Sequence, residues 1–476
     1  MVLALGKTGA ASLASGLVSA LGTKIVASVL GPGSLALLQT LQQLRDGALI
    51  VATSNGKMAL VQGASEMGGT ARREFVRTAA ILFSVGALLV AAAMLAVPRE
   101  FVRWSRLPVG SERLLLWVAL SVALLSGFIF LTAILNALRE IGRLALLQLV
   151  SPLTAALVAW PVAQAVRGGR PAAITAYLAI PAAASVLAGI VALRGRGPEL
   201  RGWVRGVGRL WSHGAARHFF SISGAMLASG VAATAVLLAV RGSITRHESL
   251  VVTGQFDAAW NISMNHVTLI LGSIQAYYLP LLSAARTPEE RTRQVRGMMI
   301  VASLATAPVI VALVALKPLV VTVLYSQAFA ASPRFLRWTL LGDYLKVSSW
   351  VLMTPMLAAR HLGAFLAVDL LAQATFWSSA RLLSRAAGTP EGAAIGFLVS
   401  NGLCFALCLI YVHLRQGLRL GVNGLAAWAA GLVLAITASA RFWNETGTVL
   451  PSALLWTSAA AGISAGFAFY LRRREP

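Results

Sequence analysis

Apolar runs of about 20 residues recur from one end of the chain to the other, separated by short polar or basic segments. That spacing matches the roughly 30 Å hydrocarbon thickness of a bilayer. The pattern predicts about fourteen membrane-spanning helices, over residues 8–30, 35–63, 77–97, 113–137, 143–165, 171–193, 218–240, 250–282, 297–316, 335–357, 362–383, 392–411, 422–440 and 450–470. What remains, about 182 residues shared among tails and connections, leaves no room for a soluble domain at about 21 residues per span. The helices themselves must then carry the function. The first apolar run is interrupted by Lys7, Gly9, Gly16 and Gly22 and is too long for the apolar region of a secretory signal, so it reads as a retained first span.

Composition agrees. Of 476 residues, 58% are hydrophobic and only 12% charged, which excludes an ordinary cytosolic protein. The net charge of +24 would suggest nucleic acid in a soluble chain, but position changes its meaning. With the N-terminus inside, 22 Lys and Arg fall on cytoplasmic segments, 14 fall outside and four lie within spans. This asymmetry predicts a multi-pass membrane protein with both termini cytoplasmic, and with membrane lipids and not nucleic acid as partners. Cys404 and Cys408 lie four apart in one apolar span, neither a zinc spacing nor a disulfide framework, and read as packed core residues.

The longest connection, 194–217, carries Arg201, Arg205 and Arg209 at helical spacing, with Trp203, Val207, Leu210 and Trp211 on the other side. It reads as an amphipathic helix on the cytoplasmic surface or as a basic linker whose tryptophans anchor the neighbouring spans. In both cases it divides the chain into a six-helix lobe (1–193), the basic linker (194–217), a second six-helix lobe (218–415) and an additional helix pair with a basic tail (416–476). Leu13-Ala14-Ser15-Gly16 recurs as Leu227-Ala228-Ser229-Gly230. Each copy feeds a short outside turn, a long second span and a basic inside loop. Both long spans carry polar or glycine interruptions, Thr53-Ser54-Asn55-Gly56 and Gly272-Ser273-Ile274-Gln275. Paired interruptions point to a central binding site, although glycine in a membrane helix also serves close packing. Six spans per half set the repeat axis along the membrane normal.

Eight ionisable residues other than histidine lie within spans: Lys24, Arg45, Asp46, Lys57, Asp257, Asp343, Lys346 and Asp369. Each costs about 2.5 to 3.5 kcal/mol at a lipid-facing helix centre, so they should face a cavity or one another. Asp343 and Lys346, three apart, can share a helix face. Arg45 and Asp46 are adjacent and are expected to point to different sides, which leaves an excess of positive charge in the first two spans. A water-filled cavity binding an anion such as a diphosphate accounts for it, with snorkelling of Lys24 or Lys57 as the alternative. Span eight adds Gln255, Asn261, Asn265, His266 and Gln275, enough to line an aqueous path and hydrogen-bond sugar hydroxyls; His266 itself reads as a packing residue. No HExxH, P-loop or nucleophile elbow occurs, so an enzyme is not expected.

Three stretches carry a family resemblance: Ser28-Val29-Leu30-Gly31-Pro32-Gly33-Ser34-Leu35-Ala36-Leu37-Leu38-Gln39 with the later Asn55-Gly56 and Ser65-Glu66; Ile134-Leu135-Asn136-Ala137-Leu138-Arg139-Glu140-Ile141-Gly142-Arg143; and Leu340-Leu341-Gly342-Asp343-Tyr344-Leu345-Lys346-Val347-Ser348-Ser349-Trp350. They resemble the Wzx-type flippases for lipid-linked oligosaccharides, within the multidrug/oligosaccharidyl-lipid/polysaccharide exporter (MOP) superfamily. Gln62-Gly63 depart from that family's pattern, where a basic-aromatic pair is common, and spans thirteen and fourteen exceed its usual twelve. The resemblance implies an all-α polytopic protein of about fourteen helices, with two six-helix lobes related by a pseudo-two-fold along the membrane normal plus a C-terminal helix pair. It further implies translocation of an undecaprenyl-diphosphate-linked glycan across the bacterial inner (cytoplasmic) membrane for O-antigen or exopolysaccharide assembly, with polysaccharide-assembly proteins as neighbours. In that reading Lys24, Arg45 and Lys57 bind the diphosphate, and Gln255, Asn261, Asn265 and Gln275 face the sugar. Asp46, Asp257, Asp343 and Lys346 couple or gate the cycle, with no cofactor or metal and with H+ or Na+ as the candidate coupling cation. Competing readings are a cation-coupled multidrug exporter of the same fold, which would favour acids in its cavity, and a membrane glycosyltransferase or polymerase, which would ordinarily show a large catalytic loop.

Overall fold

The computed structural model describes residues 2–105, 107, 110–194, 209–285, 287–443 and 450–474, and the described chain is helical apart from turns and short links. It divides into two compact units, Met1–Arg246 and His247–Pro476. Unit 1 holds α1 (Val2–Ala52), α2 (Lys57–Glu66), α3 (Gly69–Ala96), α4 (Pro98–Ser105), α5 (Glu112–Ala137), α6 (Ile141–Arg167), α7 (Ala176–Arg194) and α8 (His213–His247). Unit 2 holds α9 (Leu250–Ala284), α10 (Pro288–Ala315), α11 (Lys317–Leu324), α12 (Pro333–Ala358), α13 (Leu362–Ala387), α14 (Gly392–Gln416), α15 (Gly421–Arg441) and α16 (Leu450–Arg474). The seventh expected span, carried by α8, thus groups with the first unit. Most of the basic segment 194–217 lies outside the described residues. Its last part is tied to α3, where the Arg209 and Ser212 amides donate to Glu74 Oε1 (3.2 Å) and Thr78 Oγ1 (3.1 Å).

Among the described residues, ten helices are long and apolar enough to cross a membrane by length and composition. α12 is not among them, because Arg334, Arg337, Asp343 and Lys346 interrupt its apolar sequence. The exterior is apolar as lipid requires: Leu157 on α6 is 75% exposed and Leu88 on α3 is 69% exposed. Prolines inside α6, α7, α10 and α12 are carried within these long helices, as membrane helices tolerate. α9 and α10 start on side-chain caps, Ser249 accepting from the Val252 amide and Thr287 from the Glu290 amide, with Pro288 opening α10.

Spans one and two are joined within α1 at Gly31, whose φ of 74° and ψ of −177° only glycine adopts readily. The expected interruption at 53–56 is present. Ser54 (φ 51°) and Asn55 (φ 48°) are successive left-handed residues, and the Asn55 amide reaches back five residues to the Ile50 carbonyl (2.9 Å). Asn55 Nδ2 donates to the Met226 carbonyl on α8 (2.8 Å), and a Cβ on Gly56 would collide with the Phe219 ring. The matching interruption in span eight is absent as a backbone feature: α9 runs helically through Gly272–Gln275. Glycine and serine alone do not break a helix that the surrounding sequence supports, whereas two consecutive left-handed residues do. Asn55→Ala is expected to lower stability by about 2 kcal/mol, from the lost hydrogen bond and the alanine in a left-handed conformation. Asn55→Gly should cost about half as much, and thermal unfolding in detergent compares them.

The tetrapeptide repeat also divides. A Cβ on Gly230 would press on Ile50 and the Asn55 amide, while one on Gly16 meets nothing within 4 Å. A repeat does show in the backbone elsewhere. After α5, the Leu138, Arg139 and Glu140 amides bond the carbonyls of Ile134, Asn136 and Leu135, and the Leu144 amide then bonds Glu140. After α12, the Ala359, Arg360 and His361 amides bond Pro355, Leu357 and Met356, and Phe365 bonds His361. The same helix-ending motif appears in both units, and the left-handed position, usually glycine, is arginine each time: Arg139 (φ 61°) and Arg360 (φ 57°). The residues around it run Ala137-Leu138-Arg139-Glu140-Ile141-Gly142 and Ala358-Ala359-Arg360-His361-Leu362-Gly363.

Candidate functional site

The densest polar constellation lies inside unit 2, between α9, α12 and α13. Asp343 is completely buried on α12. Ser263 Oγ on α9 donates to Asp343 Oδ1 (2.9 Å), and His266 Nε2, one turn further along, stands 3.5 Å from Asp343 Oδ2. His266 Nδ1 lies 3.1 Å from the Ile262 carbonyl, which only accepts, so Nδ1 carries the hydrogen and Nε2 is the nitrogen presented to the acid. A protonated imidazole makes this an ion pair. Lys346, three residues along α12, is within electrostatic reach of both Asp343 and Asp369 of α13. Its Nζ sits 3.4 Å from Met264 Sδ and 5.5 Å from the centre of the Phe397 ring on α14. Aromatic rings wall the cluster, with Trp260 stacked on Phe376 and edge-on to Phe397.

Helical spacing explains the assembly. Ser263 and His266 are three apart on one face of α9, as Asp343 and Lys346 are on α12, so two adjacent turns of each helix meet. Ser263 satisfies one oxygen of Asp343, whereas Asp343 Oδ2 and His266 Nε2 face each other without a hydrogen bond. The arrangement places two acids, a lysine and an imidazole in one apolar surround, where a change in protonation or a bound cation would alter local packing. Sequence spacing found Asp343, Lys346 and Asp369 but treated His266 as packing and overlooked Ser263. The available signal was Ser263 and His266 at i, i+3 on a helix rich in polar groups.

The other span-eight residues have distinct settings. Gln255 is buried and uses both ends of its amide inside the protein, donating to the Ala328 carbonyl (2.7 Å) and accepting from Ser332 Oγ (2.8 Å), so that it braces the link into α12. Asn261 shares a side-chain hydrogen bond with Tyr325, whose phenol is pushed up chiefly by burial, and Asp257, fully buried, lies within its electrostatic reach. Asn265 is exposed on α9. The side chain of Gln275 lies outside the described residues.

In unit 1 the three expected cations are all on α1 and the start of α2. Lys24 is half-buried, and Lys57 is exposed directly after the interruption. Arg45 differs from expectation. It turns back on its neighbour, Nε and Nη2 both donating to Asp46 Oδ1 at 2.9 and 2.7 Å. Adjacent helical positions diverge at the backbone, but the arginine side chain is long enough to curl around the helix. A further cation went unread. Arg241, on α8, is only 3% exposed, and its Nη1 lies 3.4 Å from both the Gln39 carbonyl and Gln43 Oε1 of α1. The apolar run ends at Val240, but the helix continues to His247 and carries Arg241 inside. At Gly63, in the pair that departs from the resembled family, the missing side chain makes room for the buried ring of Phe75 from α3.

The added helices belong to unit 2 as packed elements. Ala427 and Ala438 of α15 are buried against Ile300 and Val311 of α10, with Ala460 of α16 alongside. Tyr344 Oη donates to the Trp428 carbonyl (2.7 Å), and Gly431 leaves room for that phenol.

No family model matches the sequence, and no curated protein does. Solved structures do. An inward-facing multidrug resistance MATE transporter of the MOP superfamily is 14% identical, with a TM-score of 0.72 over 84% of this chain and 94% of its own. The lipid II flippase MurJ in an inward closed conformation is 13% identical, with a TM-score of 0.71 over 98% of this chain and 99% of its own. A MOP-superfamily transporter from Pyrococcus furiosus, described as having a binding pocket of reversed polarity, is 15% identical, with a TM-score of 0.61 over 87% of this chain and 96% of its own. At these identities the likeness is one of architecture: an all-α, multi-pass membrane protein with the fold of the MOP-superfamily transporters.

Proposed function

We propose that the protein is a flippase that carries an undecaprenyl-diphosphate-linked oligosaccharide from the inner to the outer leaflet of the bacterial cytoplasmic membrane by alternating access. The observation that carries this reading is the extent of the likeness to the lipid II flippase, which takes in 98% of this chain, against 84% for the inward-facing multidrug transporter and 93% for a MATE transporter in a bent conformation. The helix pair α15–α16 is thus an integral part of the comparison, and it packs on α10 as such a part should.

Charge favours the same side. Lys24, Arg45 and Lys57, with only Asp46 beside them, offer an anionic headgroup more than they offer a cationic drug. From Gly31, Lys24 lies about 10 Å along the helix and Arg45 about 21 Å, at 1.5 Å per residue. Their Cα atoms are therefore at least about 10 Å apart whatever the angle at Gly31, so an anion engaging both side chains would have to be an extended one such as a diphosphate. The cluster around Asp343 serves as the coupling element, with H+ or Na+ as the driving cation.

The test is to delete the gene and locate the lipid-linked oligosaccharide by leaflet. It should accumulate on the inner side, and a normal rate of arrival outside would sink the flippase reading. A vesicle assay separates the drug-export alternative, which predicts uptake of organic cations and no movement of the glycolipid. Arg45→Ala should slow glycolipid movement about tenfold while costing at most about 1 kcal/mol of stability, since the pair it removes is near the surface. Wild-type transport by that variant would take Arg45 out of the site.

A further inference from the structure

At the end of unit 2 where α11 and α12 begin, a cleft of about 390 Å³ is lined by Lys317, Thr322, Arg334, Arg337, Glu391 and Trp443 among others. Three cations face one acid among the described lining residues. Glu391 is already occupied: its Oε2 accepts from Arg337 Nη2 (2.6 Å) and from Trp338 Nε1 (3.1 Å). Arg337 is fixed further by the Trp443 ring, 3.7 Å from the guanidinium, and by the Trp443 carbonyl. Lys317 is 2% exposed and donates to the Phe442 carbonyl. Arg334 is not so held. Its guanidinium lies 5.4 Å from the Phe335 ring, and its buried Nε has no hydrogen-bond partner. Arg337 Nε is orphaned in the same way, but the Arg334 guanidinium makes no ion pair with an acid among the described residues, and a ligand oxygen reaching its Nη groups from the cleft would supply one.

We propose that this cleft is a binding site for a phosphate-class anion, in which Arg334 is the principal donor and the Arg337–Glu391–Trp443 assembly forms a rigid wall. The planar guanidinium suits a tetrahedral oxyanion. Trp338 and Trp443, packed edge to face at 4.9 Å, are the residue type that settles at headgroup depth, so a lipid phosphate and a free phosphate are both sources of the right chemistry. The site uses residues of unit 2 alone, shares none with the Lys24, Arg45 and Lys57 set, and stands whether or not the flippase reading does.

Binding is measured on the purified full-length chain in detergent, with short-chain phosphatidylglycerol, inorganic phosphate and zwitterionic phosphatidylcholine as separate ligands. Phosphatidylglycerol should bind more tightly than phosphatidylcholine, and Arg334→Gln should weaken it about tenfold, the loss of one charge-assisted contact. Competition by inorganic phosphate identifies the free anion as a ligand, and its failure to compete identifies the lipid headgroup. Thr322→Glu, an exposed change at the mouth of the cleft, should weaken binding similarly without touching the wall. Equal affinity for the two lipids, or unchanged affinity in both variants, would overturn the proposal.

Discussion

Asn in place of Asp343 is expected to stop transport while the protein still folds and inserts. The amide has the size and shape of the acid, and its oxygen still accepts from Ser263 Oγ. What disappears is the negative charge that His266 Nε2 faces at 3.5 Å and that Lys346 feels from its own helix. The stability cost should be about 1 to 2 kcal/mol, the scale of one weakened buried hydrogen bond, while the transport rate should fall at least about tenfold. Asp343→Ala is a different experiment. It empties the position and leaves Ser263 and His266 without their partner, so a loss of about 3 to 5 kcal/mol is expected and poor expression with it. Reconstituted transport and thermal unfolding on the same preparations separate the two effects. A folded Asp343→Asn protein that transports normally would take the cluster out of the mechanism.

Gly86→Ala should be the most damaging single methyl group in unit 1. A Cβ on Gly86 of α3 would stand 2.1 Å from the carbonyl oxygen of Ala52, the last residue of α1 before the interruption. Both partners are backbone, so no side chain can swing away and α3 must move. Overpacking of this kind costs about 1 to 3 kcal/mol where a core can adjust and more where it cannot, so about 3 kcal/mol or more is expected. Gly16→Ala is the companion measurement, since its Cβ meets nothing within 4 Å. Replacing glycine inside a helix should there gain about 1 kcal/mol. If the two variants unfolded at the same temperature, the close approach of α3 to the interruption would be disproved.

Much of the architecture was legible because hydropathy and helix breakers report on the chain one segment at a time. The apolar runs gave the helices, Gly31-Pro32 the junction of the first two, and Ser54-Asn55 the interruption of the second. What hydropathy cannot report is a partner on another element. Asp343 and Lys346 were visible as charges in an apolar helix, yet the groups that receive Asp343, Ser263 and His266, are ordinary residues until α9 and α12 are brought together. Arg45 and Asp46 show the opposite error, in which backbone direction was taken for side-chain direction and a flexible guanidinium ignored it. Arg241 was lost because a helix need not end where its apolar sequence does. Gln255 looked available for the same reason that Ser263 looked unimportant: polarity is written in the sequence, and its satisfaction is not.

The paired turns at Arg139 and Arg360 bear on what it takes to end a helix. Their side chains differ, so that Asn136 stands opposite Leu357 and Glu140 opposite His361, yet every main-chain hydrogen bond has a counterpart. Main-chain bonds are indifferent to which side chain hangs beside them, and the same bonds close α6, where the Gly168, Gly169 and Arg170 amides reach the carbonyls of Gln164, Val166 and Ala165. A helix end of this kind is set by amides and carbonyls, and arginine, glycine and their varied neighbours all serve it.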